Sequence, residues 1–323
     1  TSAWAIDFNF SSKSYILIEA KTGQVLLAKN ENMSLPPAST TKILTAIMAI
    51  EQGNVDRKIR VSPKAASVGE ASIYLEPGEQ ISVLSLIKGA LIKSGNDACV
   101  ALAEYVGGSE ELFIFLMNRK SKILGAYNTS FYNPNGLPYK GHLSTANDLA
   151  MLARYGLSNS LFQNIVNQKE DSISWGNYNW QRRLRNTNKL LWTYPGADGV
   201  KTGTTREAGS CLVASATRKN RQLIAVVLNS PDRFGEAAKL LDYGFNNTKF
   251  QRISRYTEFG SIYVPKSTNY RIPLILPDDY EFSVINSSNI QRRTFINKTP
   301  KAYVRKGECL GYLEISDLTN VIA

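Results

Sequence analysis

Two pairs of apolar runs, set far apart in the chain, enclose a long stretch of helical periodicity, and no other feature narrows the choice of fold as much. Residues 15–19 and 25–28 flank Lys21-Thr22-Gly23-Gln24, while residues 211–217 and 222–228, rich in Val, Leu and Ile, flank Arg218-Lys219-Asn220-Arg221. Each pair reads as a β-hairpin around a polar turn. Between them apolar residues recur with helical spacing, as in Ile43, Leu44, Ile47, Met48 and Ile50, and again in Leu84, Ile87 and Leu91. Ser109 ahead of Glu110 and Glu111, and Thr145 three residues before Asp148, read as helix N-caps, and Asn135-Gly136 with Pro138 punctuates the segment between those helices. Strands at both ends of a helix-rich middle predict an α+β domain, an antiparallel sheet with helices, whose sheet is completed by distant segments.

After a last helical stretch at residues 236–243 the texture changes. Short apolar runs alternate with Gly260, Pro273, Pro277, Pro300, Gly307 and Gly311, the pattern of a small all-β domain. A chain of 323 residues is too long for one ordinary core, so we expect a larger α+β domain over residues 1–249 and a β-rich domain over 250–323. No apolar run is long enough to span a bilayer. Residues 1–10 lack the charged and apolar regions of a signal peptide, so the chain reads as a mature or trimmed form. Residues 310–323 alternate as a strand does and hold no Lys or Arg for lipid headgroups, so no membrane binding is expected of this chain.

The formal charge of +11 raises the question of an anionic partner, but the basic residues are scattered. The one modest cluster is Arg182, Arg183, Arg185 and Lys189. With no basic stripe interleaved with aromatics, nucleic acid is not an expected partner. Cys99, Cys211 and Cys309 are widely spaced and lie among apolar residues, which suits small buried hydrophobes rather than a disulfide framework or metal ligands. His142 is the only histidine, so a His-rich zinc site is excluded and a Ser-His-Asp arrangement would depend on that residue alone. Its setting, Lys140-Gly141-His142-Leu143 before a capped helix, marks it as a loop or structural residue.

Without histidine, a hydrolase can use lysine as base when its pKa is lowered enough for the neutral amine to accept a proton. In Pro36-Pro37-Ala38-Ser39-Thr40-Thr41-Lys42 the prolines stop any earlier helix and the apolar helical pattern begins at once. Ser39 then falls in the first turn of a buried helix, and Lys42 shares its face. The helix N-terminus adds unpaired N–H groups and a positive dipole end, which favour an oxyanion and a neutral lysine. Ser-x-x-Lys alone is also what an ordinary capped helix looks like. Ser94-Gly95-Asn96-Asp97 adds to it: Gly95 permits a chain reversal, Asp97 caps the next helix, and Ser94 can relay a proton while Asn96 holds a substrate amide. Lys201-Thr202-Gly203-Thr204 precedes the strand near Ser210 and reads as the rim of a sheet edge, where a cation and hydroxyls bind a carboxylate and Gly203 admits a close backbone approach. The Lys201 charge would also help to keep Lys42 neutral.

Ser-x-x-Lys, Ser-x-Asn and Lys-Thr-Gly in this order are the signature of penicillin-binding proteins and class A β-lactamases. With Leu75-Glu76-Pro77-Gly78, Asn133-Pro134-Asn135-Gly136-Leu137 and Asp198-Gly199-Val200 besides, the chain resembles the low-molecular-mass penicillin-binding D-Ala-D-Ala carboxypeptidases, peptidase family S11, over nearly its whole length. The resemblance implies a β-lactamase/transpeptidase-like fold and a smaller β-domain. It implies that Ser39 attacks the penultimate D-Ala carbonyl of a peptidoglycan stem peptide, that terminal D-Ala leaves, and that water releases the acyl-enzyme without a metal or organic cofactor. Lys42 would activate Ser39, Ser94 would pass a proton to the leaving amine, Lys201 and Thr202 would line the carboxylate site, and the N–H groups of Ser39 and Thr204 would form the oxyanion hole. β-Lactams would inhibit, and the setting would be extracytoplasmic, where peptidoglycan lies. Thr204 stands where some members carry His, and Arg233 and Arg206 are both candidates for the arginine that holds the substrate carboxylate.

Two alternatives carry distinct expectations. A class A β-lactamase needs a dedicated glutamate for deacylation; no Glu-x-x-Leu-Asn segment lies between Ser94 and Lys201, and Glu170 sits in a polar stretch. A catalytically idle wall-binding or regulatory protein would not need Ser39, Lys42, Ser94, Asn96 and Lys201 all intact.

Overall fold

Both predicted hairpins form, and they belong to one sheet. The computed structural model describes residues 8–176, 178–264, 271–285, 290–296 and 304–316. The chain divides into two compact units, one ending at Gly244 and the other beginning at Phe245. In the first, β1 (Ser14–Glu19) and β2 (Val25–Lys29) are followed by a 3-10 turn, Ala38–Thr41, and α1 (Lys42–Glu51). A small ribbon, β3 (Lys58–Arg60) with β4 (Gln80–Ser82), encloses α2 (Pro63–Ala66). α3 (Val83–Lys88) runs into a π-helical turn, Gly89–Lys93, and α4 (Asn96–Gly107), α5 (Glu110–Ile123), α6 (Ala146–Leu157) and α7 (Ser160–Val166) follow. A second ribbon, β5 (Glu170–Ser174) with β6 (Gln181–Arg185), and α8 (Leu190–Thr193) lead to β7 (Ala197–Thr205), β8 (Gly209–Arg218), β9 (Arg221–Leu228) and α9 (Arg233–Asn247).

The main sheet is antiparallel in the order β2-β1-β9-β8-β7. The β8–β9 turn is two residues, Lys219 and Asn220, at φ 50° and 62°. Two left-handed residues make the mirror-type turn whose twist matches the strands, so pairing continues past the apolar runs to Arg218 and Arg221. Residues 223–228 of β9 are all buried because helices cover both faces: α6 packs on β1 and β9, and Gly244 of α9 sits against Leu17 and Leu223. α1 is buried from Lys42 to Ile50, as befits a central helix apolar on every side. The Ser109 and Thr145 caps form as expected, accepting from Leu112 N at 3.1 Å and Asp148 N at 3.0 Å. The basic cluster loses its first member inward, since Arg182 is buried with its guanidinium 2.7 Å from Glu79 Oε2.

Beyond the end of α9 at Asn247, the regular structure of the second unit is all β among its described residues. β10 (Thr248–Ile253) pairs with β13 (Tyr280–Ile285), β11 (Glu258–Tyr263) with β12 (Arg271–Ile275), and β14 (Gln291–Ile296) with β15 (Gly311–Ser316). Ile253, Phe282, Val284 and Ile315 form one small core, and Ile262, Val264 and Leu310 another. β15 supplies the strand expected near the chain's end, while residues 317–323 and Pro300 lie outside the described residues. Cys99 and Cys211 are buried, but Cys309 is exposed, contrary to the reading of all three as core residues; a neighbouring apolar run does not bury a residue in a unit with cores this small. Among the described residues no helix is long and apolar enough to cross a membrane.

Candidate active site

Pro37 hands the chain to Ala38, which takes a left-handed conformation at φ 48°, and the 3-10 turn carries Ser39 to the mouth of α1. Ser39 therefore stands one tight turn before α1 rather than inside its first α-turn. Its Oγ is 2.7 Å from Lys42 Nζ. Lys42 is 0% exposed, and its Nζ is also 2.8 Å from Asn96 Oδ1 and 2.6 Å from the Asn135 carbonyl. Burial pushes its pKa down to about 8, against an opposing pull from Asp97 among others. The protonated amine donates to all three neighbours; once neutral, it keeps N–H bonds to Asn96 and Asn135 and turns its lone pair to the Ser39 hydroxyl.

Ser94 ends the π-helical turn at φ 71°, with its hydroxyl 2.9 Å from Lys201 Nζ. The chain reverses at Ser94 and not, as expected, at Gly95, whose φ is −58°. Gly95 is required for space instead: a Cβ there would fall 2.8 Å from Asp97 Oδ1 and 3.1 Å from Ile73 Cγ2. Asp97 does not cap α4 from outside but lies in its first turn, where its carboxylate accepts from Ser72 Oγ, Ile73 N and Leu75 N. Asn96, expected to hold a substrate amide, is buried with both amide ends engaged, Oδ1 by Lys42 and Nδ2 by the Gly69 carbonyl at 3.0 Å.

Lys201 and Thr202 belong to β7, which is itself the sheet edge. Lys201 is 1% exposed, and burial, then the nearby Lys42, hold its pKa well below the usual lysine value. The charge effect between the two lysines falls on Lys201, whereas Lys42 is lowered by its own burial and not, as expected, by the Lys201 charge. Thr202 is buried with its hydroxyl 2.6 Å from that of Thr187, whereas Thr204 is exposed. Of the two arginine candidates, Arg233 reaches β7, donating to the Gly203 carbonyl at 2.8 Å and Thr204 Oγ1 at 2.7 Å. Arg206 lies exposed on the turn beyond β7. Gly203 presses against the turn that holds Ser39, since a Cβ there would lie 2.9 Å from Ser39 N. Gly136, at φ 88°, closes the other side, where a Cβ would lie 1.9 Å from the Ala38 carbonyl oxygen and 2.9 Å from Ser39 N. Asn135 and Gly136 are the site residues that no reading of side-chain chemistry selects, because a backbone carbonyl and an absent Cβ do the contacting. Glu170 is an exposed partner of Arg185 at 3.6 Å, at the start of β5.

An antiparallel sheet faced by helices, a serine against a buried lysine, and a Lys-Thr-Gly edge strand beside them define an active-serine enzyme of the transpeptidase-like fold. The sequence model of the D-alanyl-D-alanine carboxypeptidases, peptidase family S11, matches residues 2–232, and the chain belongs to that family. It is 38% identical over 324 residues to the D-alanyl-D-alanine carboxypeptidase DacF of Bacillus subtilis (strain 168), covering 97% of this chain and 83% of that one. It is 40% identical to the D-alanyl-D-alanine carboxypeptidase DacC of Escherichia coli (strain K12) over 72% of this chain and 61% of that one. Penicillin-binding protein 5 of Haemophilus influenzae superposes with a TM-score of 0.84 at 28% identity, covering 97% of this chain and 95% of that one.

Proposed function

We propose that this chain is a serine-type D-alanyl-D-alanine carboxypeptidase that removes the terminal D-Ala from peptidoglycan stem pentapeptides through an acyl-enzyme on Ser39. The observation that carries this reading is the 2.7 Å approach of Ser39 Oγ to the Nζ of a wholly buried lysine whose other two neighbours are acceptors. Lys42 takes the Ser39 proton as Oγ adds to the penultimate D-Ala carbonyl carbon. The N–H groups of Ser39 and Thr204 hold the resulting oxyanion. As the C–N bond breaks, the proton that Lys42 took from Ser39 passes through Ser94, poised by Lys201, to the departing D-Ala amine, leaving Lys42 neutral again. Water then cleaves the ester, returning the Ser39 hydroxyl and releasing the shortened peptide.

The substrate's terminal carboxylate is met by Arg233 and the Thr204 hydroxyl at the β7 edge, with Lys201 and Thr202 behind them. Asn96 serves by orienting Lys42. β-Lactams inhibit by acylating the same serine. The larger domain, expected from sequence over residues 1–249, carries this chemistry, and the β-rich remainder is a spacer or partner platform. Peptidoglycan places the enzyme outside the cytoplasmic membrane. Incubation with a synthetic stem pentapeptide should release free D-Ala, and none would be released if the reading is wrong. Glu170, paired with Arg185 on the surface, gives no support to a β-lactamase, so nitrocefin turnover should be slow.

A further inference from the structure

Thr41 is wholly buried, with its hydroxyl 2.9 Å from the Ala38 carbonyl and 2.9 Å from His142 Nε2. His142, also buried, has Nδ1 3.1 Å from the backbone N of Tyr132, and its ring stands edge-on to Phe131 with centroids 5.5 Å apart. A backbone N–H can only donate, so Nδ1 accepts and the proton of the neutral ring is on Nε2. Burial, which lowers the His142 pKa to about 4, keeps the ring neutral. Nε2–H therefore donates to Thr41 Oγ1, and the Thr41 proton goes to the Ala38 carbonyl. Every bond of this relay has a determined direction.

The Ala38 carbonyl and the Ser39 N–H are the two ends of one planar peptide unit, pointing in opposite directions, so holding the first aims the second. Gly136 packs on the same carbonyl from another side. Ala38 at φ 48° is in a conformation that disfavours alanine by about 1–2 kcal/mol and persists only where its surroundings over-determine it.

We infer that His142 is a positioning residue for the reaction at Ser39: acting through Thr41, it fixes and polarises the Ala38–Ser39 peptide so that the Ser39 N–H faces the oxyanion. This rests on the proposed role of that N–H. A donor matched to charge that develops only on attack changes the rate of the chemical step and leaves ground-state binding alone. The chain of hydrogen bonds behind it also strengthens each member.

The test is the limiting rate of Ser39 acylation at saturating penicillin, and the half-saturating concentration, for Thr41→Val, Thr41→Ser, His142→Phe and the Thr41→Val/His142→Phe pair. Thr41→Val and His142→Phe should each slow the limiting rate on the order of 10–100-fold with the half-saturating concentration unchanged. Thr41→Ser, which keeps the hydroxyl, should regain most of what Thr41→Val loses. The double variant should be no slower than the slower single one, because one relay is broken twice. A limiting rate unaffected in Thr41→Val, or losses that multiply in the double variant, would overturn the inference. If His142→Phe does not fold, the two Thr41 variants decide alone. Absence of a Ser39 adduct in the unsubstituted protein would instead defeat the reading of Ser39 itself.

Discussion

Lys42 Nζ and Asn96 Oδ1 lie 2.8 Å apart, and this contact, with the Asn135 carbonyl, decides which way the amine's lone pair points. Asn96 carries no net charge, so it orients the amine without the strong pull toward the ammonium that a carboxylate would exert. Acylation by penicillin should rise about tenfold per pH unit at low pH and level off through a midpoint near 8, because only the neutral amine accepts a proton and burial sets its pKa there. Asn96→Asp places a carboxylate against Nζ, which favours the ammonium, so the midpoint should move to higher pH and the rate at pH 7 should fall. A midpoint that stays put or moves down in Asn96→Asp would show that Lys42 is not the titrating base.

Penicillin should add once, to Ser39, with the adduct seen by intact mass in the unsubstituted protein and lost in Ser39→Ala. Lys42→Arg should label at a rate several orders of magnitude lower despite its retained charge, because guanidinium does not give up its proton in the working range. An adduct surviving Ser39→Ala, or rapid labelling of Lys42→Arg, would break the assignment of nucleophile and base.

Gly136→Ala should be far more damaging than Gly108→Ala, although both residues have positive φ, 88° and 74°. Around Gly108 a Cβ meets nothing, so only the conformational cost of about 1 kcal/mol remains. At Gly136 the Cβ collides with the Ala38 carbonyl, so either the loop moves off or the Ala38–Thr41 turn does. Penicillin labelling should be lost in Gly136→Ala and kept in Gly108→Ala; equal labelling of the two would mean that Gly136 does not shape the site.

Arg182 and Glu79, at 4% and 2% side-chain exposure, are joined at both prongs, and Arg182 also donates to the Tyr74 carbonyl at 2.8 Å. Arg182→Met leaves a buried carboxylate without its partner and should destabilise the protein by about 3–5 kcal/mol, read from denaturant unfolding. Glu79→Leu added to Arg182→Met should recover much of that loss. A double variant as unstable as Arg182→Met would locate the damage in the Tyr74 contact instead.

The elements that announced themselves in the sequence are those whose signal is local. β1–β2 and β8–β9 are apolar runs on either side of a turn, α1 is an apolar helix behind two prolines, and Ser39 and Lys42 are one helical turn apart. In sequence β7 reads as a rim rather than a strand, because the glycine and threonines of Lys201-Thr202-Gly203-Thr204-Thr205 carry little apolar signal and its strand character comes from pairing with β8. Long-range partners left less trace. Thr41 and His142 are 101 positions apart, and nothing in the spacing of either points to the other. Gly95 and Ser94 show the limit of residue preference: glycine suits a left-handed reversal, yet packing against Ile73 and Asp97 reserves the glycine for its missing Cβ and leaves the reversal to serine.

The order of the sheet also governs when catalysis can begin. Ser39 is synthesised long before β7, yet Gly203 of β7 packs on its backbone N, β7 is held by β8, β8 by β9, and β9 pairs with β1. Contacts between segments this distant form late, after the long intervening loop has been closed. A ribosome-bound or partly unfolded chain that has not yet released residues 221–228 possesses Ser39 and Lys42 but lacks the completed sheet that sets Gly203 against the Ser39 backbone.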